Sequence, residues 1–338
     1  MWILEILKIV FDSALVAFSL FVVLDLLSRM IYSRSFMSTA AEIYLHFGGK
    51  NPTSEQATEE LRLRSKADDE PYSLPKGLKT SVSIQTLDGY GMPTYVFNGE
   101  GKGVTVLYLH GGGYVRDPIA LHYKFAMKLA KRTDCRVVFP IYPKSPKYGF
   151  EDCYKALLPL CKKELSKRDE VIFMGDSSGG GLALGLYEWL KEAGEKLPDK
   201  LVLFAPWVDL TMSNPLIPEY DKVDPRNSKS LADVWAKSWA KGTDLKDYRL
   251  SPIYGDLALE CEVHILVGTH DMLYPDCVAL HEKLTERGTR SFLTVRKGLT
   301  HVYPIYPTPE GHAALRQVAK IVGRPQADAG QTIGRETH

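Results

Sequence analysis

Residues 171–190 read VIFMGDSSGGGLALGLYEWL, setting Gly175-Asp176-Ser177-Ser178-Gly179 between an apolar strand-like run and an amphipathic helical pattern. A serine at the centre of a sharp strand-to-helix turn raises its hydroxyl above the sheet. The helix start behind it adds unpaired N–H groups and a dipole that favours developing negative charge. Small residues on both flanks let the chain turn without collision. Such a serine performs acyl transfer once an imidazole takes its proton. A glycine-rich helix start that only packs closely is the competing reading, and the strand before and helix after weigh against it.

A second cluster, His110-Gly111-Gly112-Gly113, follows the apolar run 104–109. Consecutive glycines leave backbone N–H groups open to an approaching anion, so Gly112, Gly113 and the N–H of Ser178 are assigned to an oxyanion hole. No helix starts immediately and no Lys follows as in a P-loop, which disfavours a phosphate site.

Nine histidines compete for the role of base. His46 precedes the body, His338 lies in the tail, His264 falls within a strand, and His122, His281 and His312 occupy helical patterns. His110 leads the glycine cluster and His270 adjoins an acid. His301 falls in the stretch 297–304, between the last strand and the last helix, and completes the chain order Ser, acid, His. Asp271 and Asp276 both follow the preceding strand. Asp271 comes sooner after its end, whereas Asp276 suits the entrance of the next helix. Asp271 is therefore expected to fix the tautomer of His301 and to stabilise its imidazolium.

Elements that could position these residues are legible in the hydrophobic periodicity. Strands are expected at 82–87, 94–97, 104–110, 136–140, 171–174, 201–205, 263–267 and 291–295, and helices at 121–131, 148–166, 178–193, 275–286 and 309–322. Strands alternating with helices at this spacing imply an α/β architecture: a mostly parallel eight-stranded sheet flanked by helices, the first strands antiparallel. Residues 207–251 break the rhythm and read as a helical cap inserted over the sheet's C-terminal edge, where ligands bind in open α/β folds. The body spans 80–323, preceded by an apolar helix at 1–35 and a cap or linker at 36–79 with one short helix around 55–66, and followed by a polar, disordered tail at 324–338.

Within the 338 residues, 42 Lys and Arg stand against 41 Asp and Glu, so a net charge of +1 offers no field for nucleic acid. The five cysteines, Cys135, Cys153, Cys161, Cys261 and Cys277, are scattered through apolar runs and read as buried free thiols. No Cys/His cluster points to a metal, and no cofactor is expected. Nothing in the pattern specifies an oligomeric state.

Residues 2–31 are the most apolar in the chain, interrupted by Glu5, Lys8, Asp12, Asp25 and Arg29. The charge-free core at 13–24 is short: as a helix it rises about 18 Å, against roughly 30 Å of hydrocarbon. A helix lying in a membrane interface and a helix capping an apolar pocket both remain open. If the segment spans, Arg29 and Arg34 on its C-terminal side put the catalytic domain in the cytoplasm.

Together, the glycine cluster at 110–113, the GDSSGG motif, the acid loop Asp271-Met272-Leu273 and the His301 loop resemble the hormone-sensitive lipase family, over residues 80–322. That resemblance implies the α/β-hydrolase fold and esterase or deacetylase activity on short to medium acyl chains, without a metal. It matches Gly112, Gly113 and Ser178 to oxyanion donors and His110, with Gly111, to the shaping of the glycine loop. Two departures stand out. Ser178 replaces the usual Ala, expected to be harmless because only its N–H is used, and Tyr274-Pro275 lengthens the acid loop. The same machinery could cleave an amide, thioester or peptide bond, with cap residues such as Trp207, Tyr220 and Trp235 choosing the leaving group. A receptor that binds without chemistry would be expected to lack a triad member.

Overall fold

Eight apolar runs pair into one sheet in the computed structural model, which describes residues 2–47, 52–67, 72–101, 103–167 and 170–323. The strands are β1 (Ile84–Leu87), β2 (Thr94–Phe97), β3 (Val104–Leu109), β4 (Arg136–Pro140), β5 (Glu170–Asp176), β6 (Lys200–Phe204), β7 (Glu262–His270) and β8 (Ser291–Thr300). Their order is β1-β2-β4-β3-β5-β6-β7-β8. Only the pairings of β1 with β2 and β2 with β4 are antiparallel, so the expected α/β-hydrolase sheet is present.

Central strands are buried on both faces because helices cover each side: β4 is buried throughout, and β3, β5 and β6 in all but their first residue. The covering helices are α4 (Ala120–Thr133), α5 (Phe150–Lys167), α6 (Ser178–Glu192), α9 (Tyr274–Glu286) and α10 (Pro309–Val322). Large side chains such as Tyr108, Phe139, Phe173 and Phe204 are wholly enclosed. Each contributes about 1.5–3 kcal/mol by leaving water. All five cysteines are buried free thiols.

The segment from Trp207 to Leu250 carries two helices, α7 (Ile217–Asp221) and α8 (Lys229–Ala240). Ser228 caps α8 by accepting from the Leu231 N–H at 3.2 Å and donates to the Pro52 carbonyl at 2.6 Å, which docks the helix beside α3 (Ser54–Ala67). Tyr114 stacks on Trp239 of α8 at 4.5 Å, so this layer and the sheet share one core.

The N-terminal segment forms one continuous helix, α1 (Trp2–Tyr32), followed by α2 (Phe36–Phe47). Val10–Tyr32 is a 23-residue apolar stretch, long enough by length and composition to cross a membrane. At 1.5 Å per residue it rises about 34 Å. Asp12, Asp25 and Arg29 fall inside it, and the last two pair with each other at 2.6 Å. Phe11, Leu15, Val16, Phe18 and Met30 are exposed, so α1 does not cover a pocket with these side chains.

α2 is fastened to the sheet's C-terminal edge. Arg34 donates to Glu42 and to the Gly298 carbonyl, and Glu42 meets His270 Nδ1 at 3.0 Å. Glu310, in the first turn of α10, accepts from the Ser35 N–H at 2.6 Å and from the Ser35 and Ser38 hydroxyls at 2.7 and 2.8 Å. The tail 324–338, His338 with it, and residues 48–51 and 68–71 of the expected linker lie outside the described residues.

Candidate active site

Ser177 stands between the end of β5 and the start of α6 with φ 54° and ψ −124°, a conformation costing an ordinary residue about 1–3 kcal/mol. Surroundings hold it there. Its N–H donates to the Phe204 carbonyl and its own carbonyl accepts from Trp207 N–H, both at 2.8 Å. The flanking glycines are sterically required: a Cβ on Gly175 would lie 2.3 Å from the Gly179 carbonyl oxygen, and one on Gly179 would lie 2.1 Å from that of Leu109.

Beside this turn lies the glycine cluster. Gly112 and Gly113 have φ of 130° and 64°, a left-handed region that favours glycine. A Cβ on Gly113 would strike the Trp235 ring at 2.1 Å, so this glycine also makes room for the pocket wall. His110 is fully buried and stacks on Tyr142 at 4.5 Å. Its Nδ1 donates to the Gly111 carbonyl at 2.7 Å, and the Tyr142 hydroxyl donates to the His110 carbonyl at 2.6 Å. Burial pushes the His110 imidazole well below its ordinary pKa, so it stays neutral and shapes the loop. Ser178 does more than offer an N–H: its buried Oγ accepts from the Tyr114 N–H at 3.3 Å, a contact Ala could not make.

β8 continues to Thr300, further than expected, and presents His301 on the turn that follows. Val302 beside it has φ 49°, an outlier for a β-branched residue. His301 Nδ1 stands 2.8 Å from Asp271 Oδ2, while Asp271 Oδ1 accepts from the Leu273 N–H at 2.9 Å. Both side chains are buried. Burial alone would depress the imidazole, but the charge and hydrogen bond of Asp271, together with the charges of Asp224 and Asp176, hold His301 above its ordinary value. Asp276 sits elsewhere, in α9, accepting from Asn214 Nδ2 at 2.9 Å; burial pushes its carboxyl up to about 7.

The remaining histidines meet other partners. His122 Nε2 lies 3.1 Å from Asp176 Oδ2, a contact unforeseen from its place in a helical pattern, and the Tyr108 hydroxyl donates to Asp176 Oδ1 at 3.0 Å. His281 meets the Ser291 hydroxyl at 2.8 Å, and His264 stacks on Phe292 at 4.8 Å. His46 and His312 are exposed.

Asp224, in the loop between α7 and α8, was not anticipated. It is buried, and its carboxylate accepts from the Arg226 and Asn227 N–H groups at 2.9 Å each and from the Met272 N–H at 3.0 Å. Burial, reinforced by the nearby charge of Asp271, raises its pKa. The Asp-Pro-Arg-Asn run at 224–227 carries a turn signal, but nothing local ties it to residue 272.

One pocket gathers much of this. Gly111, Gly112, Gly113, Ser177 and His301 line it, with Trp207, Leu231 and Trp235 supplying apolar wall and Arg116, Asp117 and Arg226 the charged portion. Tyr220, also expected to line the cap, instead faces Tyr274, with ring centroids 5.1 Å apart. A serine beside a glycine-rich loop, opposite an imidazole backed by a buried carboxylate, has the parts for nucleophilic acyl transfer.

The chain is similar to several known proteins. A family model described as the alpha/beta hydrolase fold matches residues 106–305. An esterase of Acinetobacter venetianus is 26% identical over 223 residues, covering 64% of this chain and 73% of its own length. An acetyl-hydrolase of Streptomyces hygroscopicus is 29% identical over 225 residues, covering 63% and 73%. Among solved structures, a protein of Staphylococcus aureus described as an esterase matches with a TM-score of 0.76 and 28% identity, over 81% of this chain and 95% of its own. A hormone-sensitive lipase from a metagenome library matches with a TM-score of 0.66 and 25% identity, over 80% and 98%.

Proposed function

This chain belongs to the alpha/beta hydrolase fold family, in its hormone-sensitive-lipase-like branch, and from that membership we propose a serine carboxylesterase or deacetylase acting on short to medium acyl esters. Ser177 Oγ attacks the ester carbonyl carbon while His301 Nε2 takes its proton. Asp271 holds the proton on Nδ1 and stabilises the imidazolium without becoming protonated. The N–H groups of Gly112, Gly113 and Ser178 receive the oxyanion. Collapse of the tetrahedral adduct expels the alcohol, which leaves with the proton from His301. Water, deprotonated by the same imidazole, then releases the acid and restores Ser177.

The Asp271–His301 contact of 2.8 Å, with Ser177 on the wall of the pocket that His301 also lines, supports this assignment most directly. Purified protein should hydrolyse p-nitrophenyl acetate and butyrate and should react with a fluorophosphonate probe. Ser177→Ala should lower turnover by at least about a thousandfold, since the oxyanion hole and binding retain only residual catalysis, and should abolish labelling. Wild-type rates in that variant would overturn the mechanism.

The residues before 36 serve, in this proposal, as a membrane anchor, residues 36–79 and 207–251 form the cap, and 80–323 make the catalytic domain. The exposed apolar surface of α1 supports the anchor. An ester dissolved in or lying on a lipid surface is the substrate such an anchor would serve.

A further inference from the structure

Taking the pocket as an esterase site, we propose that Arg226 makes this enzyme selective for esters that also carry an anionic oxygen group, a carboxylate or a phosphate. Every other charged side chain on the pocket wall is matched within the protein. Arg116 forms a two-pronged pair with Glu60 at 2.8 and 2.7 Å, and its guanidinium also lies over the Trp235 ring at 4.7 Å. Asp117 meets Lys144 at 3.0 Å. Asp176 is met by His122 and Tyr108.

Arg226 lines the same pocket half-buried, and its guanidinium has no carboxylate within 4.0 Å among the described residues. Nearby acids are satisfied by other donors. Asp271 takes His301 Nδ1 and the Leu273 N–H, and Asp224 takes backbone N–H groups, including that of Arg226 itself. The Arg226 charge is felt inside the site: burial raises the phenol of Tyr306, another pocket residue, and among neighbouring charges Arg226 opposes that rise most.

A planar guanidinium, partly withdrawn from water and without an internal anion, suits two-pronged binding of a carboxylate or phosphate. Its backbone is already fixed by the Asp224 turn, so less freedom is lost when the anion binds. A neutral ester of the same size would leave the charge uncompensated beside the reacting carbonyl.

The full chain should be given monoethyl adipate and diethyl adipate as a carboxylate arm, and dioctanoyl phosphatidate and dioctanoylglycerol as a phosphate arm, with acid release followed at constant pH. In at least one arm the anionic member should have the higher kcat/KM. Arg226→Gln should cut that anionic-to-neutral ratio tenfold or more, and Arg226→Lys should restore part of it. The arm that responds identifies the source of the anion. A ratio in Arg226→Gln equal to the wild-type ratio in both arms overturns the inference. Calorimetric binding of monoethyl adipate and of dioctanoyl phosphatidate to Ser177→Ala, with and without Arg226→Gln, separates the two readings. If nothing is hydrolysed the esterase assignment falls, while loss of binding on removing Arg226 still upholds the anion site and unchanged binding overturns it.

Discussion

Asp224 Oδ2 accepts the backbone N–H of Met272 at 3.0 Å, so a carboxylate from the inserted segment anchors the residue next to Asp271. The same carboxylate closes its own turn through Arg226 and Asn227. Asp224→Ala leaves the buried Met272 N–H and the partly buried Arg226 and Asn227 N–H groups without this acceptor, at a cost of about 1–3 kcal/mol for the buried one. Its melting temperature should fall and its kcat/KM should drop at least tenfold as the acid loop loosens. Asp224→Asn keeps one acceptor oxygen, turns the other into an NH2 donor, and removes the charge, which is one of those holding His301 up. Its acid-side activity limb should therefore move to lower pH. A limb that stays put would show that Asp224 has no electrostatic influence on the base.

His301 must be neutral to take a proton, so kcat/KM should climb with pH around its pKa, with a midpoint above the ordinary 6.5. Burial pulls that pKa down, and Asp271, with Asp224 and Asp176 adding to it, more than reverses the pull. Asp271→Asn removes the opposing charge and favours the wrong tautomer. The midpoint should fall below the wild-type value and turnover should fall about ten-thousandfold. The sign for stability follows from the same shift. A histidine whose folded pKa is raised stabilises the fold fully below its unfolded value and loses that contribution as pH rises through the folded value. The wild-type advantage over Asp271→Asn attributable to this proton should therefore shrink from pH 6 to pH 8 in urea denaturation. An advantage that grew over that range would contradict the assignment.

Features encoded in short windows are legible in the sequence alone. β2 and β4 occupy the expected residues because their apolar runs are bounded by turn signals, and the strand–serine–helix context is local to residues 170–192. Contacts between distant residues left no such trace. His122 reads as one polar position in a helix, yet folding sets it against Asp176, 54 residues away. Asp224 and Met272, 48 residues apart, pair only because the inserted segment folds back over the sheet edge. The sequence motif assigns Ser178 only an N–H role, since the position of Tyr114 beside its hydroxyl depends on how two loops pack.

The exposed face of α1 makes membrane partition testable without truncating the chain. Leu15 and Phe18 are 54% and 64% exposed, so their replacement disturbs little internal packing. A Lys near the middle of a membrane helix costs about 2.5–3.5 kcal/mol. The Leu15→Lys, Phe18→Lys double variant should move from the membrane fraction to the soluble fraction of fractionated cells, while the soluble protein keeps wild-type rates on p-nitrophenyl butyrate. Unchanged partition would dismiss the anchor.

Glu188 lies in α6, the helix that begins behind Ser177, and is buried with both carboxyl oxygens lacking a hydrogen-bond partner among the described residues. Burial, with the like charge of Asp256 added and Lys191 opposing, pushes its pKa up to about 9. The folded protein therefore keeps a proton that the unfolded chain, with an ordinary value of 4.5, gives up. Stability from this group is intact below 4.5 and drains away as pH climbs toward 9, because the unfolded state increasingly gains by ionising. Glu188→Gln has no proton to lose. Melting curves for the two proteins should nearly coincide at pH 5 and separate by pH 8.5, with the variant the more stable. A constant separation across that range would mean that Glu188 ionises in the fold as freely as in water.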